Sequence, residues 1–574
     1  MSEKVADVIV SVLEEAGARR CYGVPGDTLN HLTDALHRSK IRFVHTRHEE
    51  TGGFAAGADA ALRGELALCA GSCGPGSLHF INGLLDAHRS HAPVVLIASQ
   101  VIRDELGIEF PQEVDLRSVY QSCSVFCEEV RTPESARRMT AYAAQAALTK
   151  RGVAVLIVPA DVASAPAAKS PPFRVHRPRP RTLPSYDELE LVADTLNKGL
   201  RVAIYAGAGC EHAHDQVVAL AERLKAPVAF TSRGRDFLEY DNPYAVGMTG
   251  VFGVQSGYDA VLGCDVLLML GCDFAWRQFY PDKATIIQLD IDPTHLGRRH
   301  PVDLGVVGDV APTLEALLPL VNAQTDDAFL RESVAAWEKF KRGLQVEKRS
   351  NHDHGTIHSQ YFTEVVDRYA EPDAIWTADG GLPIVWVMRH VRATGRNRTL
   401  ASLVHGSMAN AMPHALGAAA AFPGRQVISF SGDGGVTMLF GDLLTAVQEN
   451  LPIKVAVLNN GSLAYVEIEQ KTEGLLDNFT DLKNPDFGRV AESLGMWGKR
   501  VERAEDLDGA VREWLATPGP ALLDVVTSRY ELFMPSHLDA EMVTGTALYS
   551  IKGLLHGRVH DVAEMVTHGV DLLK

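Results

Sequence analysis

What the chain lacks narrows its class before any motif is read. Its eight cysteines form no C-x-x-C pair, so the common zinc-ribbon and thiol-redox spacings are absent. Cys69/Cys73 and Cys123/Cys127 are each four apart in apolar surroundings. Such pairs fit either a zinc site or buried core thiols, and the apolar setting favours the thiols. Positive charge is in deficit. With 55 Lys and Arg against 72 Asp and Glu, the net charge is −17, which argues against a general nucleic-acid binder. No apolar run reaches the length of a membrane span. The start, MSEKVADVIVSVLEEAG, alternates charged and apolar residues at helical period. It has no continuous apolar core of a secretion signal, so a cytoplasmic protein with reduced thiols is expected.

What is present is a globular composition, 46% hydrophobic and 22% charged, over 574 residues. That is too long for one domain. Strand-like runs alternate with helical patterns in three blocks, residues 1–180, 181–333 and 334–527, followed by a tail at 528–574. The first and second blocks meet at a Pro- and Arg-rich stretch, 170–184, which reads as an extended linker. A charged helical stretch after Asp327 reads as a second connector. The expected fold is α/β, with three doubly wound, mostly parallel sheets covered by helices.

The most specific signal is Gly432-Asp433-Gly434, followed by Asn459-Asn460. A strand-like Val427–Ser431 leads into the first motif, and a helical pattern with Leu439, Leu443, Leu444 and Val447 follows it. Pro452 breaks that pattern, and a second strand-like run, Ile453–Leu458, leads into the second motif. This is a βαβ unit, so both motifs fall at carboxyl ends of parallel strands, where such sheets bind ligands. Asp433 and Asn460 offer hard oxygens suited to Mg²⁺ or Ca²⁺, and Gly434 and Gly435 let backbone N–H groups approach an anion. Each motif alone reads better as a turn, and it is the spacing in this context that favours a metal on a diphosphate.

With that spacing the sequence resembles the thiamine-diphosphate (ThDP) enzyme family. The resemblance implies that Asp433, Asn460 and the Ser462 carbonyl hold the metal, with Gly461, Leu463, Ala464 and Tyr465 beside the cofactor. It implies that the Met of Gly406-Ser407-Met408 is a wedge under the thiazolium and that the Gly406 carbonyl accepts from the cofactor's amino group. Arg47-His48-Glu49-Glu50, ahead of a small-residue helix, reads by itself as an acidic helix start. The family pattern makes Glu49 the carboxyl that activates the cofactor through its pyrimidine ring. The family places this glutamate and the metal on different subunits, which implies a homodimeric site, often within a homotetramer. Gly23-Val24-Pro25-Gly26-Asp27 and Ser72-Cys73-Gly74-Pro75-Gly76 match family loops near the substrate.

The middle block bears on the reaction class. Gly207 and Gly209 follow a strand, a weak dinucleotide signal alone. Thr249-Gly250-Val251-Phe252, Gly271-Cys272-Asp273-Phe274 with Arg277, Asp290 and Asp309 strengthen it. Together they resemble the FAD domain of pyruvate oxidases and acetohydroxyacid synthases, although the same glycines would serve turns. Over the whole chain the resemblance is greatest to the quinone-dependent pyruvate dehydrogenase branch. It implies oxidative decarboxylation of pyruvate to acetate with ThDP, Mg²⁺ and FAD, and electrons passed to ubiquinone or menaquinone. From Leu548 onward, apolar residues recur at helical spacing with balanced charge. In that branch the tail lies on the membrane, so a peripheral, inner-face location is expected on activation, by apolar insertion. The rival readings are a carboligase, a phosphate- and oxygen-consuming pyruvate oxidase, and a catalytically inactive assembly protein. Two positions depart from the branch. Pro111 replaces an aromatic beside Gln112, and Tyr465 stands where phenylalanine is usual. Glu469 matches a family acid near the reacting carbon.

Overall fold

The structure, a computed structural model, describes residues 3–178, 180–343 and 357–529, with 531, 546, 548–550 and 552 beyond them. Three six-stranded sheets form, and every strand pairing in them is parallel. In spatial order the first is Arg42–His45, Arg20–Gly23, Ala67–Gly71, Val94–Gln100, Val153–Pro159, Phe126–Glu129. The third is Arg398–Ala401, Ile375–Ala378, Val427–Gly432, Ile453–Asn459, Ala521–Val526, Trp497–Val501. Numbered by appearance within each domain, both run 2-1-3-4-6-5, so the two domains share one topology. The middle sheet, Leu304–Val307, Thr285–Asp290, Val266–Leu270, Val202–Ala206, Val228–Phe230, Ala245–Met248, runs 6-5-4-1-2-3. Read from its other edge, that is the order of dinucleotide-binding sheets.

The central strands explain why these sheets are parallel. Val94–Gln100, Val266–Leu270 and Ile453–Asn459 are buried at every residue. A strand apolar on both faces needs helices on both sides, which crossover connections supply. The first and third domains meet through two helices of small residues, Glu49–Arg63 and Ala411–Ala421. A Cβ on Gly417 would stand 2.1 Å from the Ala55 carbonyl oxygen, so the backbones touch. Asp442 fastens the crossing by accepting from Arg47 N and Thr51 Oγ1, both at 2.7 Å. Asp86 does the same with Ser402 Oγ at 2.6 Å and His414 Nε2 at 3.2 Å.

The helix expected after Gly432-Asp433-Gly434 is in fact two, Asp433–Met438 and Leu443–Gln448, with a 3₁₀ turn at Phe440–Asp442 between them. The tertiary bonds of Asp442 at that turn outweigh the helical periodicity. The connector at 170–184 forms no regular element among its described residues, and Ala328–Gly343 is the charged helix. No helix among the described residues is long and apolar enough to cross a membrane. The tail expectation falls almost wholly outside the described residues. Of those described, Tyr549 is fully buried, its hydroxyl donating to Asp477, and Lys552 Nζ donates to the Gly474 carbonyl at 2.7 Å.

Candidate functional site

Asp433 opens its helix directly after the strand Val427–Gly432, whose last residue pairs with Leu458. Asp433 and Asn460 therefore emerge side by side at the carboxyl edge of the third sheet. Asp433 is 2% exposed. Its Oδ1 accepts from Gly434 N at 2.8 Å, and its Oδ2 from Gly461 N and Asn484 Nδ2, both at 2.7 Å. These donors are neutral, and burial raises the carboxyl above its ordinary range despite them. A charge at that depth is costly unless paired or bound to a metal. The hard oxygens of Asp433, Asn460 and the Ser462 carbonyl fit a divalent cation that would balance it. Asn460 Oδ1 accepts from Ser462 N at 3.0 Å, which curls the loop back toward Asp433.

Met408 reaches the same place. Its Cε lies 3.5 Å from where a Cβ on Gly434 would stand, and Leu463 Cδ2 only 2.6 Å from it. A side chain at 434 would therefore displace Leu463. Ser407 Oγ donates to the Met408 carbonyl at 2.9 Å, and Gly406 turns with φ +77° and nothing within 4 Å of a Cβ. The absent Cβ of Gly435 leaves room for Asp379 Oδ2. Asp379 is 1% exposed and accepts from Ala411 N at 2.9 Å, and burial pushes its carboxyl up to about 7. Tyr465 lies in the first turn of helix Ala464–Thr472, beside Gly381. Burial and then Glu469 raise its phenol, while burial and then Glu473 raise Glu469.

The first domain builds a second group at its own carboxyl edge. Glu49 is the first residue of its helix, and His48 caps that helix by accepting from Glu50 N at 3.2 Å. Glu49 Oε2 meets His79 Nδ1 at 2.9 Å, and the His79 ring stacks on His48 with centroids 4.7 Å apart. Ser72 bonds Thr28 Oγ1 at 2.9 Å, and Cys73 Sγ donates to Gln112 Oε1 at 3.3 Å. A Cβ on Gly76 would lie 3.5 Å from Glu49 Oε1. The Gly23–Asp27, Ser72–Gly76 and Gln112 segments therefore gather beside Glu49. Phe110 is half-buried and Pro111 exposed. The contacts described for Glu49, to His79 and beside Gly76, lie within its own domain. It is Glu50 that connects to the third domain, through Asn82 at 2.7 Å, which also donates to Ser407 Oγ at 3.0 Å.

In the middle domain, Gly207 and Gly271 directly follow the two central strands, where the strand order reverses. A Cβ on Gly207 would stand 2.5 Å from the Gly271 oxygen, and one on Gly209 2.7 Å from the Gly271 Cα. Gly250, φ +113°, lies under the Phe274 ring, and Thr249 and Cys272 are buried. Asp290 pairs with His295 Nδ1 at 3.1 Å, and Asp273 with Arg298 and Arg299. Arg277 Nε donates to the Arg299 carbonyl at 3.2 Å, and Val251 is half-buried. Phe252 offers its carbonyl to Arg389 Nε at 3.2 Å. The position is that of a dinucleotide crevice. Packing of these loops on each other also accounts for the glycines. Asp309 instead accepts from Thr182 N at 2.6 Å, tying the connector to this domain.

Four residues at these groups carry no sequence motif: Asp379, Glu467, Asn484 and His79. Asn484 Nδ2 also donates to Asn459 Oδ1 at 3.0 Å, joining both strand ends. The cysteine alternatives resolve toward core thiols. Cys69, Cys73 and Cys123 are buried and Cys127 half-buried, all free. Burial pushes the Cys69, Cys123 and Cys127 thiols up, away from the thiolate that zinc needs.

Comparison with known proteins matches all three domains. Residues 3–119 match the thiamine pyrophosphate enzyme N-terminal TPP binding domain, 189–317 its central domain, and 379–525 its C-terminal TPP binding domain. The putative thiamine pyrophosphate-containing protein YdaP of Bacillus subtilis is 32% identical over 569 residues, 98% of this chain and 99% of that protein. The pyruvate oxidase of Lactiplantibacillus plantarum is 28% identical over 543 residues, 90% and 87% of the two chains. The acetolactate synthase large subunit of Corynebacterium glutamicum is 31% identical over 530 residues, 88% and 84%.

Proposed function

The chain belongs to the thiamine pyrophosphate enzymes, and from that premise we propose that it is a flavoenzyme converting pyruvate to acetate and carbon dioxide and passing the electrons to a membrane quinone. The observation that carries the cofactor reading is the buried Asp433, met only by neutral donors beside Asn460 and Ser462. Those three residues would hold Mg²⁺ on the diphosphate. Met408 and Gly406 would set the shape of the bound cofactor, and Glu49 would hold a proton against its pyrimidine ring. When bound, ThDP supplies an electron sink for the carboxylate leaving pyruvate. Gln112 and Tyr465 would orient pyruvate. Glu469, whose carboxyl is raised by burial and then by Glu473, would exchange a proton with the substrate oxygen.

The middle sheet supports FAD as electron acceptor through its strand order and the glycines at its reversal point. The tail is assigned to a lipid surface, where ubiquinone or menaquinone would be met. A carboligase is the second reading, favoured by the likeness to an acetolactate synthase large subunit. Anaerobic stopped-flow absorbance with ThDP, Mg²⁺ and pyruvate separates the two. The proposal expects rapid bleaching of the flavin band, reversed by added quinone. Phospholipid vesicles should speed quinone turnover of the full chain and not of a chain ending at Val543. A flavin that stays oxidised while pyruvate is consumed would assign the carboligase.

A further inference from the structure

Helix Ala464–Thr472 begins directly after the loop Asn460–Leu463, and Glu467 lies on its buried face at 3% exposure. Glu467 Oε2 accepts from Ser462 Oγ at 2.6 Å and meets Arg529 at 3.0 Å, while Oε1 accepts from Lys471 Nζ at 2.6 Å. Two cations thus pair with this carboxylate, as its depth requires. Arg529 reaches on to Asp481 Oδ1 at 2.6 Å, and Asp481 bridges to Ser462 through the backbone. Ser462 is therefore held by its hydroxyl on Glu467 and by its N–H on Asn460 Oδ1 at 3.0 Å. Its neighbours make the bridge bonds, Leu463 N donating to the Thr480 carbonyl and Leu482 N to the Gly461 carbonyl, both at 2.8 Å. A backbone carbonyl cannot be aimed by rotating a side-chain bond. Its direction follows from the planar peptide that contains it, so restraints on the residue decide where it points.

We propose that Glu467 is a positioning residue for the divalent-cation site, aiming the Ser462 carbonyl toward the cation beside Asp433 by holding the Ser462 hydroxyl. The inference rests on the reading that Asp433, Asn460 and Ser462 bind the cation. Glu467 itself touches neither cation nor substrate. Outer partners of this kind change metal affinity by about 10- to 100-fold when removed.

The test is manganese binding to the full chain with ThDP, read from the free-ion electron paramagnetic resonance signal. S462A removes the hydroxyl and keeps the carbonyl ligand, and E467A removes its acceptor. Each is expected to weaken manganese binding by about 10-fold or more, and the double variant by no more than the larger single loss. E467Q, which keeps a side-chain oxygen to accept from the Ser462 hydroxyl, should recover part of the manganese affinity that E467A loses. If E467A fails to fold, S462A decides alone. S462A with wild-type manganese affinity, or losses that add in full, would overturn the inference and leave the cation site standing. Wild-type protein that takes up no manganese with ThDP would overturn the site reading and this inference with it.

Discussion

Single residues carry the strongest electrostatic demands in this molecule, and Asp379 carries one that titrates in an accessible range. Its carboxyl is raised from 3.8 to about 7 by burial beneath Gly435. Between those values the folded chain holds a proton that the unfolded chain has released. The folded state then binds more protons, so stability falls as pH rises through that window and levels off above about 7. The width of the window limits the effect to about 4 kcal/mol. D379N removes the titration, so its melting temperature should fall less than that of wild type between pH 5 and 8; parallel profiles would refute the assignment. The residues that the sequence reveals are those whose chemistry is local. Asp433 and Asn460 each follow closely on an apolar strand, and it is their spacing within one βαβ unit that proposes them as ligands. Glu467 and Asn484 carry no such signal. With Lys471 one turn on, Glu467 looks like a solvated helix pair, and only folding brings Arg529 and Ser462 onto its carboxylate.

Among elements, the helix crossing between the first and third domains shows how one residue type acquires opposite meanings. Gly417 and Gly509 both lie inside helices. Gly417 faces the Ala55 carbonyl, where a Cβ would stand at 2.1 Å, whereas a Cβ on Gly509 meets nothing within 4 Å. Helix propensity alone favours alanine at either position by about 0.5–1 kcal/mol. At Gly417 the backbone clash outweighs this, and G417A should destabilise by about 1–3 kcal/mol. G509A should stabilise slightly. Urea unfolding of both variants measures the contrast, and equal shifts would remove close backbone approach as the reason for glycine at 417. Strand runs such as Ile453–Asn459 are legible because burial on both faces writes a continuous apolar string. The break after Met438 is not legible, because the bonds that make it run from Asp442 to Arg47 and Thr51 in another domain.

At the scale of the whole molecule, two domains of one topology each bring a chemically different carboxylate to their sheet's carboxyl edge. Glu49 is turned toward His79 and Gly76 of its own domain, and Asp433 toward Gly461 and Asn484 of the other. Within one chain these domains meet along the helices Glu49–Arg63 and Ala411–Ala421, with Asn82 bonded to Ser407 and Asp86 to Ser402 beside them. For a site needing both carboxylates around one cofactor, we propose completion by a second copy, with Glu49 from one chain facing Asp433 from the other. This yields a prediction that does not depend on which keto acid is used. E49Q and D433A should each be inactive alone. In a mixed dimer, one site combines both defects, and the other combines the intact Glu49 of one chain with the intact Asp433 of its partner. Coexpressing the two variants in equal amounts should restore about a quarter of wild-type turnover, since half the dimers are mixed and each has one intact site of two. If Glu49 and Asp433 served the same site within one chain, every site in the mixture would carry one defect, and no activity would return.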